Sequence, residues 1–205
     1  GITGISWGGI TTTTTIGADD RLKFAIPVYG CGYLDKSRTY FSTDYFTKSG
    51  QTIAWDPANF AVKAKIPVMY INNDSDAHFS VNSTSNTAAV TENGFMSIRH
   101  GLAHSHVHGY EIDQIYKFAA DMFNTGTDRF MRIKNTVIDG NEMIVEYEAP
   151  EGTTAESATM YYITDAILPW SGAHSGVQAK SIDWKTVEGT IDGNSVKVTL
   201  PDDAA

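Results

Sequence analysis

The sequence has a single cysteine, Cys31, among 205 residues, so it can form no internal disulfide. That thiol has no His or Asp close by in sequence and reads as a small buried hydrophobe. Long apolar runs are missing as well. Nothing approaches the roughly 20 residues of a spanning helix. Positive charge is scarce, with 15 Lys and Arg against 24 Asp and Glu, a net charge of −9 and a pI near 5.0. This balance disfavours nucleic acid and an anionic membrane as partners, because both select basic surfaces. The first residues show no basic segment followed by an apolar one, and the compartment stays open. The hydrophobic fraction of 41% and charged fraction of 19% are ordinary for a globular chain.

What is present begins at once. Gly4-Ile5-Ser6-Trp7-Gly8-Gly9 fits G-x-S-x-G, a sharp strand-to-helix turn that lifts a serine hydroxyl above a sheet. The flanking glycines suit a turn too tight for side chains. A serine nucleophile needs a base, and the base needs a partner that fixes its tautomer. In the order Ser, acid, His, both follow. The apolar run Val68-Met69-Tyr70-Ile71 leads into Asn72-Asn73-Asp74-Ser75-Asp76-Ala77-His78-Phe79. Phe95-Met96-Ser97-Ile98 leads to Ala103-His104-Ser105-His106-Val107-His108-Gly109. Asp76 is the expected acid, with Asp74 as the alternative. His104 is the expected base, with His106 as the alternative. His78 and His100 read as structural.

The coarse pattern predicts a helix after Ser6, although its run of threonines is mediocre for one. It predicts strands at 22–29, 66–71 and 94–98, a helix start at Asp56-Pro57, and a helix over Glu111–Phe123 ended by Asn124 and Gly126. Near residue 127 the period changes. Residues 129–150 alternate around Asp139-Gly140-Asn141 as a hairpin, and further short strands follow around Asp192-Gly193-Asn194. The expected domains are 1–126 and 127–205, the second a small β-sandwich-like module.

With these motifs, the chain resembles the C-terminal part of an α/β-hydrolase of the acetyl xylan esterase and dienelactone hydrolase-like group. The matching residues are Ser6, Asn72 to Phe79 with Asp76 at the acid position, and His104. The resemblance covers about residues 1–125, and some members carry a small β domain after the hydrolase. It implies an α/β fold, here a partial sheet from the elbow onward. It implies ester hydrolysis through an acyl-enzyme, with Ser6 as nucleophile, His104 as base, Asp76 orienting it, and the Trp7 N–H holding the oxyanion. Neither metal nor organic cofactor is needed, and the partner is a small-molecule or carbohydrate ester. The strands and second oxyanion loop that precede the elbow in this group are not in the sequence. The expectation is therefore weak or no turnover by this chain alone, and self-association through surfaces around residues 1–30 left bare.

Two rival chemistries share these residues. His104, His106 and His108 alternate, and on an extended strand would face one way, as the ligands of a Zn²⁺ site with Asp76 would. Trp170, Trp184, Tyr161 and Tyr162 could stack on sugars in a binding module without catalysis, or fill the core of the β module.

Overall fold

The structure, a computed structural model, describes residues 1–37, 41, 54–164 and 183–203. Their contacts divide the chain into two compact units that meet between Asn124 and Thr125.

The first unit is built on four parallel strands. They are β1 (Ile2–Ile5), β2 (Ala25–Val28), β3 (Val68–Asn73) and β4 (Gly94–Arg99), paired in that order. The helices between and after them are α1 (Trp7–Ile16), α2 (Ala58–Ala61), α3 (Val81–Val90), α4 (His106–Tyr110) and α5 (Asp113–Asn124). Every residue of β2 and β3 is buried, as expected for strands covered on both faces. Ala25, Val68 and Tyr70 pack with Ile16 of α1 and Ala88 of α3. On the other face Phe118 of α5 meets Phe24 and Phe95 edge-on or tilted. The strand predicted over 22–29 narrows to Ala25–Val28, and at its end Tyr29 turns out at φ 49°.

In the threonine-rich α1, the hydroxyls of Thr11, Thr13 and Thr15 all find acceptors. Thr11 and Thr15 donate to the carbonyls of Trp7 and Thr11, one turn back. Thr13 donates 2.8 Å to the Gly30 carbonyl and so fastens the helix to the end of β2. Thr84 and Thr87 in α3, and Thr91 just after it, likewise bond back one turn. Asp56 does more than start a helix. Its carboxylate accepts from the Ala58 N–H and from those of Tyr33 and Leu34. It thereby ties α2 to the segment after β2.

The second unit is all β among its described residues. Strands β5 (Arg132–Asp139), β6 (Glu142–Glu148), β9 (Thr190–Asp192) and β10 (Ser195–Thr199) form one antiparallel sheet in the order β5-β6-β10-β9. Strands β7 (Thr159–Tyr162) and β8 (Lys185–Glu188) form a second. Gly140 and Gly193, both with positive φ, open the two-residue turns of the hairpins. An apolar cleft of about 360 Å³ is lined from β6, β7 and β10 by Met143, Val145, Met160, Val196 and Val198.

The elbow depends on backbone crossing backbone. A Cβ on Gly30 would lie 2.2 Å from the carbonyl carbon of Gly9, whereas one on Gly8 meets nothing within 4 Å. Gly30→Ala is therefore expected to lower stability by about 1–3 kcal/mol, the usual cost of overpacking. Gly8→Ala is expected to be neutral or to stabilise by up to about 1 kcal/mol through helix propensity. Urea unfolding of the two variants checks this; equal effects would contradict it.

Candidate active site

Ser6 sits between β1 and α1 at φ 58°, ψ −117°. A non-glycine residue there costs on the order of 1–3 kcal/mol and persists only where its surroundings enforce it. Here they do. The Ser6 N–H donates 2.8 Å to the Val28 carbonyl, and its own carbonyl accepts from Ile10. A serine before a helix ordinarily caps it through its side chain. Ser6 makes no such bond, and its hydroxyl points instead to His104.

The hydroxyl Oγ lies 2.9 Å from His104 Nε2, and His104 Nδ1 lies 2.6 Å from Asp76 Oδ2. Asp76 has a fully buried side chain. Its Oδ1 accepts from the N–H groups of His78 and Phe79, at 2.8 and 2.9 Å, and its Oδ2 also accepts from Asn73 Nδ2 at 2.8 Å. With N–H groups aimed at both oxygens, the carboxylate acts as acceptor. Nδ1 then carries the imidazole proton, and Nε2 is left to accept from Ser6. Asn72 closes the acid loop, donating to the Phe79 carbonyl and to Thr84 Oγ1 of α3.

Three contacts hold the imidazole in place. Tyr29 stacks on it with ring centroids 4.6 Å apart, and its hydroxyl donates 2.9 Å to the Ala103 carbonyl. Phe79 stacks at 6.1 Å. His78 lies tilted at 5.3 Å. Burial, and secondarily the Asp76 charge, pushes the Tyr29 phenol up to about 12, so it remains a donor across the neutral range. Burial also pushes the Cys31 thiol up to about 12, in keeping with a packing role. Trp7 is the first residue of α1, and its N–H has no partner within the helix. Its indole, half exposed, stacks on Trp55 and meets Phe41 edge-on beside the serine.

The structure thus brings together Ser6, His104, Asp76 and the Trp7 backbone. The alternatives fall elsewhere. Asp74 pairs with His100, not with His104. His106 is exposed at the start of α4, and His108 Nδ1 lies 2.6 Å from Ser105 Oγ. The extended His104–His106–His108 segment that a metal site needs is not formed. Ser105 caps α4 by accepting from the His108 N–H, and the chain coils from His106 onward. The helix expected over Glu111–Phe123 is present as α5, and α4 is a separate short helix before it. Among the described residues no three His, Cys, Asp or Glu side chains cluster as metal ligands. Trp170 lies outside the described residues. Of the other aromatics suggested for a sugar platform, Trp184 and Tyr162 are half-buried and Tyr161 is exposed. Sequence reasoning missed Asn73 and Tyr29. Asn73 could have been found as a side-chain donor three residues before the acid; Tyr29 carries no motif signal.

No protein-family model matches the sequence, and neither does any curated protein. Solved structures show partial similarity. The chain is similar to an acylaminoacyl peptidase from Pyrococcus horikoshii, at 22% identity and a TM-score of 0.48, over 60% of this chain and 23% of that one. It is similar to an acetyl xylan esterase from Paenibacillus sp. R4, at 17% and 0.44, over 56% and 43%. It is also similar to a protein from Klebsiella pneumoniae described as a dienelactone hydrolase, at 21% and 0.37, over 53% and 42%. All three are α/β-hydrolase-fold proteins. The chain spans less than half the length of each.

Burial holds the His78 imidazole below its ordinary value of 6.5, against the attraction of Asp76. A histidine with a lowered folded value favours the fold while neutral. That contribution is complete above the ordinary value and is lost as pH falls through it toward the folded one. The stability of the wild type relative to His78→Phe is therefore expected to fall between pH 7.5 and 5. Urea midpoints of the two proteins across that range check the sign; a constant difference would contradict it.

Proposed function

We propose that this chain carries the reacting groups of a serine hydrolase acting on carboxylic esters. The observation that supports it is the unbroken hydrogen-bonded line Ser6 Oγ–His104 Nε2 and His104 Nδ1–Asp76 Oδ2, with the serine held at a strained turn.

In this reading the Ser6 hydroxyl attacks the carbonyl carbon of the ester while His104 Nε2 takes its proton. The bond to the alcohol oxygen breaks, and His104 returns that proton to the leaving alcohol. Water then attacks the acyl-enzyme with the same histidine as base, releasing the acid and restoring Ser6. Asp76 keeps the imidazole in the required tautomer and stabilises its charged form. The Trp7 N–H, at the positive end of α1, serves the developing oxyanion. The motif resemblance points to an acetylated carbohydrate as the ester. We read the second unit as a small sandwich-like module, supported by the apolar cleft that its two sheets line together.

A fluorophosphonate probe tests the nucleophile, because it reports one covalent step at the serine. The wild-type chain should be labelled, and Ser6→Ala and His104→Ala should not. Asp76→Asn should slow labelling by about 10⁴-fold, as loss of the tautomer-fixing carboxylate does in such triads. Labelling that survives Ser6→Ala would refute the assignment. Hydrolysis of p-nitrophenyl acetate that survives Ser6→Ala but stops with a chelator would favour a metal hydrolase instead.

A further inference from the structure

The two loops that carry Asp76 and His104 hold a second aspartate–histidine pair. Strands β3 and β4 run in unbroken parallel register from Val68 opposite Gly94 to Asn73 opposite Arg99. Asp74 and His100 are the next residue on each, so strand register brings them side by side. His100 Nδ1 is hydrogen-bonded to Asp74 Oδ2. The Asp74 side chain is only 8% exposed and its Oδ1 accepts from Ser75 Oγ at 3.2 Å, while His100 is half exposed. The pair therefore has one end set in the protein and one end in solvent.

The two loops are fastened differently. The acid loop is laced to itself and to α3. Asn72 bonds Phe79 and Thr84, Asn73 bonds Ser75 and Asp76, and Asp76 bonds His78 and Phe79. The base loop starts with His100 on Asp74, turns at Gly101 with φ 69°, and ends with Ala103 on Tyr29 and His104 on Asp76. Gly101 is exposed and a Cβ there would meet nothing within 4 Å, so packing does not brace the turn. The bond between His100 and Asp74 joins the less braced loop to the more braced one at its first residue.

We propose that Asp74 and His100 are positioning residues for His104. Their bond clamps the start of the base loop to the acid loop, so the loops are joined by two aspartate–histidine links, and the outer one sets the reach of the inner. Neither residue touches the reacting atoms. The catalytic consequence rests on the serine-hydrolase reading; the clamp itself does not.

The test compares the wild-type chain with His100→Ala and His100→Asn, the latter placing an amide N–H near the position of Nδ1. Hydrogen exchange reads the clamp. In His100→Ala the amides of residues 101–105 should exchange at least about tenfold faster, with β3 and β4 unchanged, as for a local opening. Fluorophosphonate labelling reads the consequence. Its limiting rate should fall about 10- to 100-fold, the effect of misplacing a reacting group by a fraction of an ångström to 1 Å, while half-saturation by the probe stays the same. His100→Asn should recover most of both. Unchanged exchange in His100→Ala overturns the clamp, and so does exchange that rises equally in β3 and β4, or an Asn variant no better than Ala. If the wild type is not labelled at all, the serine-hydrolase reading fails, and exchange alone still decides the clamp.

Discussion

The geometry of the site rests on the contact of two backbones, where the start of α1 crosses the end of β2. A Cβ on Gly9 would lie 2.6 Å from the Val28 carbonyl oxygen, and one on Gly4 would lie 2.3 Å from the Gly8 carbonyl oxygen. With no side chains between them, the Ser6 N–H reaches Val28 and the Thr13 hydroxyl reaches Gly30. Those bonds hold Ser6 in a positive-φ conformation that the isolated residue avoids. The strain is useful in a specific way. It turns the hydroxyl away from the helix it would otherwise cap and toward the end of β4, where the imidazole waits.

The acid side solves a different problem. Asn72, Asn73, Asp74 and Asp76 are all buried at the end of a strand whose other residues are apolar. Polar groups withdrawn from water are costly unless each finds a partner. For Asn72, Asn73 and Asp76 this loop provides them locally, through backbone groups and asparagine amides within seven residues, while Asp74 takes its partners from Ser75 and His100. Such a network has few alternative arrangements, and it gives the carboxylate a fixed direction.

Much of this could be read from the sequence, because the informative signals were local. The glycines around Ser6, the apolar runs before Asp76 and His104, and the Asp-Gly-Asn turns each report their own surroundings. The features that escaped depend on residues far apart. Tyr29 reaches Ala103 across 74 residues, and the Asp74–His100 bond follows from strand register, which no single segment encodes. The alternation of His104, His106 and His108 misled for a related reason. Period two signals one face only in an extended chain, and the cap from Ser105 coils this one. The threonine run after Ser6 was a poor helix by propensity alone. Its hydroxyls find acceptors, one of them on the neighbouring β2 turn, and the tertiary contact overrides the preference.

The distance in sequence between Ser6 and His104 is 98 residues, and strands β2, β3 and β4 lie between them. Parallel strands pair only after the intervening chain has been laid down, since each needs its crossover. At synthesis rates of about 5–20 residues per second, the serine leaves the ribosome about 5–20 s before the histidine it bonds. During that interval it is an ordinary alcohol. The bond between Ser6 and His104 therefore waits on β4, which must pair with β3 before the loop beyond it can reach the serine.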